Sequence, residues 1–415
     1  MTYSEKVIAA MQQSDIEAME ENIKQAMKYD NNDYLMALQE VLIQAGYIDL
    51  AQPLIEHLLE KTQDNSLYLS LAEIAIENNQ IDEAFQALDH IEKESDDYIQ
   101  ALVIAADLYQ VIGVPEVSEQ KLKEAKSLTN DPLITFALAE LYNSTGAFEQ
   151  AKKLYEELLA QGEQTMANIS LQERLVEILM NQGQFEEALH ILNNIDELSS
   201  QMQFFQALAY YQTEESEKAL SIFKKLKENH PELTAVYYYL AEGLMKENQL
   251  EEAQAIAEEG LKAEPLNIQL YLLIAEIFYR QHDIKEAEHY LTQALEIDDF
   301  NGGDQARLSL ATFYITQEES EKALALLQNV NETDGYVHWL LAQAYRQEEE
   351  YEKAMEHYEQ ARVEMDHDLL FMRDYGLMLR EEGRLEEAYQ QLTHYSQHQP
   401  DDIEIADLLT SWTEE

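Results

Sequence analysis

A short pattern recurs at regular intervals along the whole chain. In its commonest form Glu or Lys precedes an alanine that comes three residues after an apolar or aromatic residue. We call the alanine, or the residue in its place, the anchor. The twelve anchors are Met19, Ala51, Ala84, Ser118, Ala151, Ala188, Ala219, Ala253, Ala287, Ala323, Ala354 and Ala388. Their mean spacing of 33.5 residues indicates one small supersecondary unit repeated in tandem, not separate globular domains.

Other residue types keep fixed distances from the anchors. Five residues before an anchor a turn-forming residue is common: Gly46, Asn79, Gly113, Gly146, Gly183, Asn248 and Gly383. Twelve residues before, small residues dominate: Ala72, Ala106, Ala139, Ala207, Ala241, Ala275, Ala311, Ala342 and Gly376. Between the turns apolar residues follow a spacing of three and four, so each unit is predicted to be two antiparallel helices. The two small residues allow the helices to approach closely.

These spacings resemble the tetratricopeptide repeat (TPR), a helix–turn–helix unit of about 34 residues. The resemblance covers essentially the whole chain, which looks like the all-TPR cytoplasmic proteins of bacteria. It implies an all-α, right-handed superhelical solenoid of about twelve units. It also implies a concave groove, lined mainly by the first helix of each unit, that holds other proteins or peptides. The early Trp of the family is missing from most units, and the proline after the second helix is kept in three, at Pro231, Pro265 and Pro400.

Domain organisation follows from the register of the anchors. We predict one continuous array over residues 1–400 and a C-terminal capping helix over 401–415, which covers the apolar edge of the last unit. Two intervals are longer than the rest, and their extra residues fall at 160–170 and 298–305. Each insertion is consistent with a change of superhelical pitch, a hinge or a longer turn between units. We expect longer turns, because loops accept added residues at little cost in free energy.

Composition narrows the class of protein. The chain has no cysteine, which excludes disulfides and thiolate metal sites and suits a reducing cytoplasm. Its N-terminus lacks the apolar core of a signal peptide, and no apolar run is long enough to span a membrane. The 82 acidic residues against 27 basic ones give a net charge of −55. Such a surface repels nucleic acids and anionic lipids and attracts basic proteins.

The predicted groove carries a row of carboxylates. The residue after the small residue of each first helix is turned by about 100° toward the face that the TPR resemblance assigns to the groove. We call this row the ladder: Glu40, Glu73, Asp107, Glu140, Glu177, Leu208, Glu242, Glu276, Thr312, Gln343 and Leu377. We expect Glu140, Glu177 and Glu242 to face solvent, so that reversing their charge leaves melting nearly unchanged. The alternative is that the ladder only solvates the surface.

Two further rows flank the ladder on the same face. The row four residues earlier is mostly apolar and includes Phe136, Phe204, Tyr238 and Trp339, and the row three residues later includes Tyr279. Seven of the eight arginines lie at or after residue 280, and Arg346, Arg373 and Arg380 fall on these rows. Guanidinium groups grip carboxylates and stack on rings, so the groove is predicted to be acidic first and basic later. Internal ion pairs are the alternative role for these arginines.

No catalytic, metal-binding or cofactor-binding motif stands out, and the repeats occupy the length that a catalytic domain would need. The sequence therefore predicts a cytoplasmic, non-enzymatic scaffold or adaptor. It would bind a basic, partly apolar protein segment, and neither nucleic acid nor membrane. One alternative is a regulator that senses a short oligopeptide, although the repeats begin almost at Met1 and leave little room for an effector domain. The other alternative is a self-assembling structural protein.

Overall fold

The computed structural model describes residues 1–62, 64–331 and 333–413, apart from the side chains of Asp299, Asn301 and Thr413. Contacts divide the chain into two units of structure, Met1–Ile191 and Leu192–Glu415. Of the predicted capping segment, 401–415, only residues 414–415 lie outside the described residues. Apart from a single last helix and one short hairpin, the described part consists of successive helices in antiparallel pairs, which confirms the all-α class.

The first unit of structure contains six helical pairs and one short hairpin. Its elements are α1 Tyr3–Met11, α2 Ile16–Tyr29, α3 Asn32–Gln44, α4 Ile48–Leu59, α5 Ser66–Glu77, α6 Ile81–Asp89, α7 Tyr98–Val111, α8 Pro115–Leu128, α9 Pro132–Ser144, α10 Phe148–Ala160, β1 Thr165–Met166, β2 Ile169–Ser170, α11 Leu171–Asn181 and α12 Phe185–Leu192, whose last residue crosses the boundary.

The second unit of structure contains six pairs and a final single helix. Its elements are α13 Ser200–Gln212, α14 Ser216–Asn229, α15 Ala235–Lys246, α16 Leu250–Ala263, α17 Ile268–Arg280, α18 Ile284–Asn301, α19 Gln305–Thr316, α20 Ser320–Leu327, α21 Gly335–Gln347, α22 Tyr351–Met365, α23 Leu369–Glu381, α24 Leu385–His398 and α25 Ile403–Thr413. Leu408, Leu409 and Trp412 of α25 pack against the core cluster around Met372 and Leu392.

The anchors form the inner seam of every pair. All twelve are completely buried on the second helix. The small residues twelve positions earlier are buried on the first helix, and at Gly376 an added Cβ would lie 2.6 Å from Cδ2 of Leu392. Helix starts are fixed locally. Asp15, Asn31, Ser199 and Asp368 each accept a hydrogen bond from a backbone N–H in the first turn that follows.

The turn inside each pair has one backbone conformation throughout. The residue five positions before every anchor has a positive φ, between 55° and 80°. Gly46, Asn79 and the other turn formers noted in the sequence account for seven of these positions. The remaining five are Ser14, Glu214, His282, Glu318 and Glu349. A Cβ makes this left-handed conformation costly, so these five positions carry backbone strain that residue type alone does not reveal.

Relieving this strain is expected to stabilise the protein. Glu318→Gly and Glu349→Gly should each raise the free energy of unfolding by about 0.5–1 kcal/mol, because glycine adopts a positive φ without a steric penalty. Urea denaturation checks the prediction. The control is Glu356→Gly, an exposed position inside α22, which should lower stability by about 1 kcal/mol. A loss of stability in both turn variants would show that the left-handed conformation carries no strain.

The two long intervals differ from the expected longer turns. Residues 165–170 form a hairpin that pairs Thr165 with Ser170 and Met166 with Ile169, and Met166 is buried against the core. Ala167 and Asn168 at its tip both have positive φ, as a tight two-residue turn requires. The second insertion extends α18 to Asn301, and the buried Asp298 accepts a hydrogen bond from the Ala306 N–H at the start of α19.

Candidate functional site

The ladder lies on the first helices of the pairs, as predicted, but its members differ in environment. Glu40, Glu73 and Asp107, on α3, α5 and α7, are exposed, and within the described part of the chain they make no hydrogen bond or ion pair. The surrounding chain reduces the hydration of Glu73 and Asp107 and raises the pKa of both carboxyls; the nearby Glu77 charge adds to the effect at Glu73. This stretch of the face is therefore acidic and uncompensated.

The middle of the ladder is compensated internally. Arg174 of α11 donates to both oxygens of Glu140, at 3.0 and 3.1 Å, and to Oε2 of Glu177 at 2.7 Å. The hydroxyl of the fully buried Tyr155 donates to the same Glu140, at 2.5 Å. The side chains of Glu140 and Glu177 are only 29% and 30% exposed. The prediction that these carboxylates are solvent-facing is wrong, because Arg174 draws both into a network with Tyr155.

The uncompensated carboxyls predict a dependence of stability on pH. A raised folded-state pKa means that Glu73 and Asp107 disfavour folding when ionised, and that this penalty fades as the pH falls through their folded pKa values. The double variant Glu73→Gln/Asp107→Asn should gain up to about 0.5 kcal/mol at neutral pH, since both groups are exposed. The gain should vanish near pH 3. Urea unfolding across this pH range measures it.

The control for the pH prediction is Glu20→Gln/Asp96→Asn, which removes two exposed carboxyls that are not part of the ladder. A gain that is independent of pH, or equal in the control, would contradict the assignment of the penalty to Glu73 and Asp107.

The apolar row is less available than its sequence suggests. Phe136 is 7% exposed and packs in the core near Tyr155, so its predicted contact with a partner is wrong. Phe204 is half-buried, with its ring centroid 6.0 Å from that of the buried Phe223. Trp339 is half-buried, and its indole N–H donates to Oδ2 of Asp374 at 2.7 Å. Tyr279, 38% exposed, presents the most open ring of the predicted set.

The arginines of the second unit of structure mostly pair with carboxylates of the chain itself. Arg346 donates to Asp374 at 3.0 Å and to both oxygens of Glu381. Arg373 bridges Asp402, at 2.9 Å, and Glu404. Arg380 is half-buried and has no hydrogen bond or ion pair within the described residues. The alternative of internal ion pairs therefore holds for Arg346 and Arg373, and among these three only Arg380 stays a candidate for binding a partner.

A pocket of about 480 Å³ opens on the first-helix face of the second unit of structure. It lies where α17, α19 and α21 adjoin. Leu272, Leu308 and Phe313 supply its apolar lining, and the exposed rings of Tyr279 and Tyr336 flank it. Glu276 of the ladder also lines it, paired with Arg280 at 2.8 Å across one helical turn. The pocket thus combines members of all three predicted rows.

Glu242, the remaining ladder residue of the predicted site, lies on α15. Its side chain is 21% exposed and forms an ion pair with Lys246 at 3.4 Å. The expectation that Glu242 faces open solvent is therefore also wrong. Tyr238, one turn earlier on the same helix, is half-buried, and reduced hydration together with the Glu242 charge raises its pKa.

Neither a metal site nor a membrane-spanning helix is found among the described residues. In the described ranges no three His, Asp or Glu side chains are placed to hold a metal ion. Across the same ranges, none of the helices has the length and apolar character needed to span a membrane.

Comparison with protein families matches about half of the chain, in four segments, to tetratricopeptide repeats. Residues 110–163 match the YpiA-like tetratricopeptide repeats, and residues 336–402 match the YpiA-like C-terminal tetratricopeptide repeats. Residues 204–232 and 238–302 match general tetratricopeptide repeat families. The TPR resemblance in the sequence is thereby confirmed.

Among solved structures, the chain is similar to a Cut9–Hcn1 complex of the APC/C, with 13% identity, a TM-score of 0.43, and coverage of 97% of this chain and 88% of that one. It is also similar to a tetratricopeptide repeat protein from Parabacteroides merdae, with 15% identity, a TM-score of 0.42, and coverage of 68% of this chain and 98% of that one.

Among curated protein sequences, the human protein O-mannosyl-transferase TMTC1 is 25% identical over 205 residues, which are 48% of this chain and 23% of that protein.

A bacterial relative matches much more of the sequence. The TPR repeat-containing protein YpiA of Bacillus subtilis is 33% identical over 297 residues, which cover 70% of each chain. This match, together with the two YpiA-like segments and the stacked helical pairs, identifies the fold as an all-α TPR solenoid. The chain belongs to the YpiA-like family of tetratricopeptide repeat proteins.

Proposed function

We propose that this protein is a non-enzymatic adaptor that binds a basic, partly apolar segment of another protein on its first-helix face. TPR proteins generally mediate contacts between proteins, and this chain belongs to that class. The observation that carries the proposal is the 480 Å³ pocket of α17, α19 and α21, where exposed tyrosines and a ladder carboxylate meet an apolar lining.

The chemistry of the pocket favours a particular kind of segment. Leu272, Leu308 and Phe313 would receive an apolar or aromatic side chain, and the volume lies within the usual range of binding pockets, about 300–1,000 Å³. Tyr279 and Tyr336 would cover it with little loss of side-chain entropy. Basic residues beside the apolar one would meet Glu276 and the general acidic field of the chain.

The same features define what the protein would avoid. With 82 acidic and 27 basic residues, its surface repels nucleic acids and anionic lipids. In this proposal the partners are proteins, and the protein works in the cytoplasm. Binding would be faster at low salt, because fewer salt ions then screen the attraction between the acidic surface and a basic segment.

Selection from a library of short random peptides tests the proposal. We expect the full-length protein to enrich peptides that combine an aromatic or large aliphatic residue with Lys or Arg. The variant Tyr279→Ala/Tyr336→Ala should bind the selected peptides at least about tenfold more weakly, since tyrosines at the centre of an interface commonly dominate its affinity.

The matched control is Tyr34→Ala/Tyr351→Ala, which removes two exposed tyrosines that do not line the pocket and should leave the affinity unchanged. Equal binding by both double variants, or no enrichment of basic and apolar residues, would overturn the proposal. Concentration-dependent sedimentation of the protein alone, abolished by the pocket variant, would instead assign this face to self-assembly.

A further inference from the structure

We propose that Tyr211, Tyr238 and Glu242 form a subsite for one lysine or arginine side chain of the bound segment, and that the protein's own Lys246 occupies this subsite in the free protein. The identity of the ligand rests on the proposed function. The subsite lies on the same face of the second unit of structure as the apolar pocket, on α13 and α15.

Lys246 shows where a cation sits. Its Nζ lies 4.5 Å from the centre of the Tyr211 ring and 3.4 Å from Oε1 of Glu242. An ammonium over an aromatic face and beside a carboxylate is the arrangement by which proteins recognise cationic side chains. The contacts of Lys246 therefore show that the charge and shape of this site suit a positive group.

The internal cation is loosely held. Its distance of 3.4 Å from Glu242 exceeds the 2.7–2.9 Å of a good charge-assisted hydrogen bond, and the Lys246 side chain is 56% exposed. Glu242 is much less exposed, so it gains more from a well-placed partner than Lys246 provides. An incoming guanidinium, which has five donors in a planar fork, would pair with Glu242 more completely and displace Lys246.

The receiving groups are fixed before any ligand arrives. The Tyr211 ring lies against α15 at Gly243, where an added Cβ would be 3.5 Å from ring atom Cε2. Tyr239 packs against both tyrosines of the subsite. Its ring stacks on the buried Phe223 and forms T-shaped contacts with the rings of Tyr211 and Tyr238. A rigid aromatic site binds a cation without a further ordering cost.

The negative charge of Glu242 acts on both tyrosines of the subsite. The Tyr211 hydroxyl is buried beside the Glu242 carboxylate, and burial together with its interaction with Glu242 raises the pKa of this tyrosine. The Glu242 charge also raises the pKa of Tyr238, after burial. A cation of the partner would meet this negative charge among the rings in place of Lys246.

The position of the subsite also predicts spacing in the ligand. The subsite lies between α13 and α15. The apolar pocket is lined mainly by α17 and α19, two first helices further along, and α21 adds only Tyr336. Packed helices are about 8–10 Å apart, so the two sites are separated by roughly 16–20 Å. An extended segment advances about 3.3 Å per residue, which places its basic residue about five or six positions from its apolar one.

Small cations test the subsite without the rest of the segment. Titration of Nα-acetyl-arginine amide, Nα-acetyl-lysine amide and the neutral Nα-acetyl-norleucine amide, followed by ligand-observed NMR, measures their affinities. We expect Lys246→Ala to bind both cations at least about fivefold more tightly than the unmodified protein, because the internal competitor is removed. Adding Glu242→Gln to that variant should weaken binding by about tenfold or more. Norleucine should bind neither form.

The controls are Lys262→Ala and Glu251→Gln, which make the same changes at exposed positions of α16, outside the subsite, and should alter nothing. Equal affinity of the unmodified protein and Lys246→Ala for arginine, or equal binding of norleucine, would overturn the subsite. Cation binding without enrichment of any peptide would support the subsite and refute the proposed function. Enriched peptides that bind Glu242→Gln as tightly as the unmodified protein would support the proposed function and refute the subsite.

Discussion

Replacing Asp374 by alanine is expected to lower the free energy of unfolding of the C-terminal repeats by about 3–4 kcal/mol. This carboxylate accepts hydrogen bonds from Trp339 and Tyr358, both at 2.7 Å, and from Gln343 and Arg346, both at 3.0 Å. The donors come from α21 and α22, while Asp374 lies on α23. One side chain therefore joins two consecutive repeats.

The cost follows from what the substitution leaves behind. Tyr358 is completely buried, and burial and the Asp374 charge together raise its pKa. Without the acceptor its hydroxyl would be buried and unpaired, and the half-buried Arg346 would keep only Glu381. Asp374→Asn preserves the shape but not the charge, so we expect about half the loss.

Urea unfolding followed by the fluorescence of Trp339, in a Trp412→Phe background, measures this effect. Asp401→Ala is the control, because Asp401 is exposed and has no hydrogen bond or ion pair in the described part of the chain. A shift for Asp374→Ala no larger than that of the control would show that the network contributes nothing to stability.

Arg174→Met is expected to destabilise the first unit of structure by about 2–3 kcal/mol. Arg174 supplies three hydrogen bonds to Glu140 and Glu177. Its loss would leave two like charges side by side and half-buried, next to the hydroxyl of the buried Tyr155. Further replacement of both glutamates by glutamine should recover at least half of the loss, because it removes the unpaired charges.

Hydrogen exchange of α9 and α11, together with urea unfolding, checks this prediction. The control Arg280→Met removes an exposed pair with Glu276 one helical turn away, which is worth about 0.3–0.5 kcal/mol. If Arg174→Met were no less stable than Arg280→Met, or if the glutamine substitutions failed to restore the stability of Arg174→Met, the network would be a surface contact only.

The periodicity of the sequence predicted the fold because each repeat must bury the same seam. Ala241, for example, is completely buried where its helix meets the partner helix, and only a small side chain fits there. The turns were harder to predict. Gly46 and Asn79 are recognisable as left-handed residues, but Glu318 and Glu349 adopt the same conformation only because the packing of the flanking helices imposes it.

The site was predicted less well, because ion pairs join helices that are one repeat apart. A position on a single helix shows which face a residue occupies, and it placed Glu140 and Glu276 on the first-helix face. It does not show what the next repeat brings alongside. Arg174 lies one period after Glu140, so opposite charges at the repeat spacing were the signal available in the sequence. Phe136 was mispredicted because the neighbouring helices cover its face.

Site-specific photo-crosslinking tests the central claim most directly, namely that a basic, partly apolar segment binds on the first-helix face of the second unit of structure. A photoreactive phenylalanine analogue would replace Tyr279, beside the pocket, or Tyr351, at the start of the second helix α22. Each protein would be irradiated with a peptide enriched by selection. We predict that the peptide, carrying a label, is crosslinked at position 279 and not at 351. An excess of the same peptide without the label should suppress the crosslink at 279. Crosslinks at 351 alone would contradict the claim.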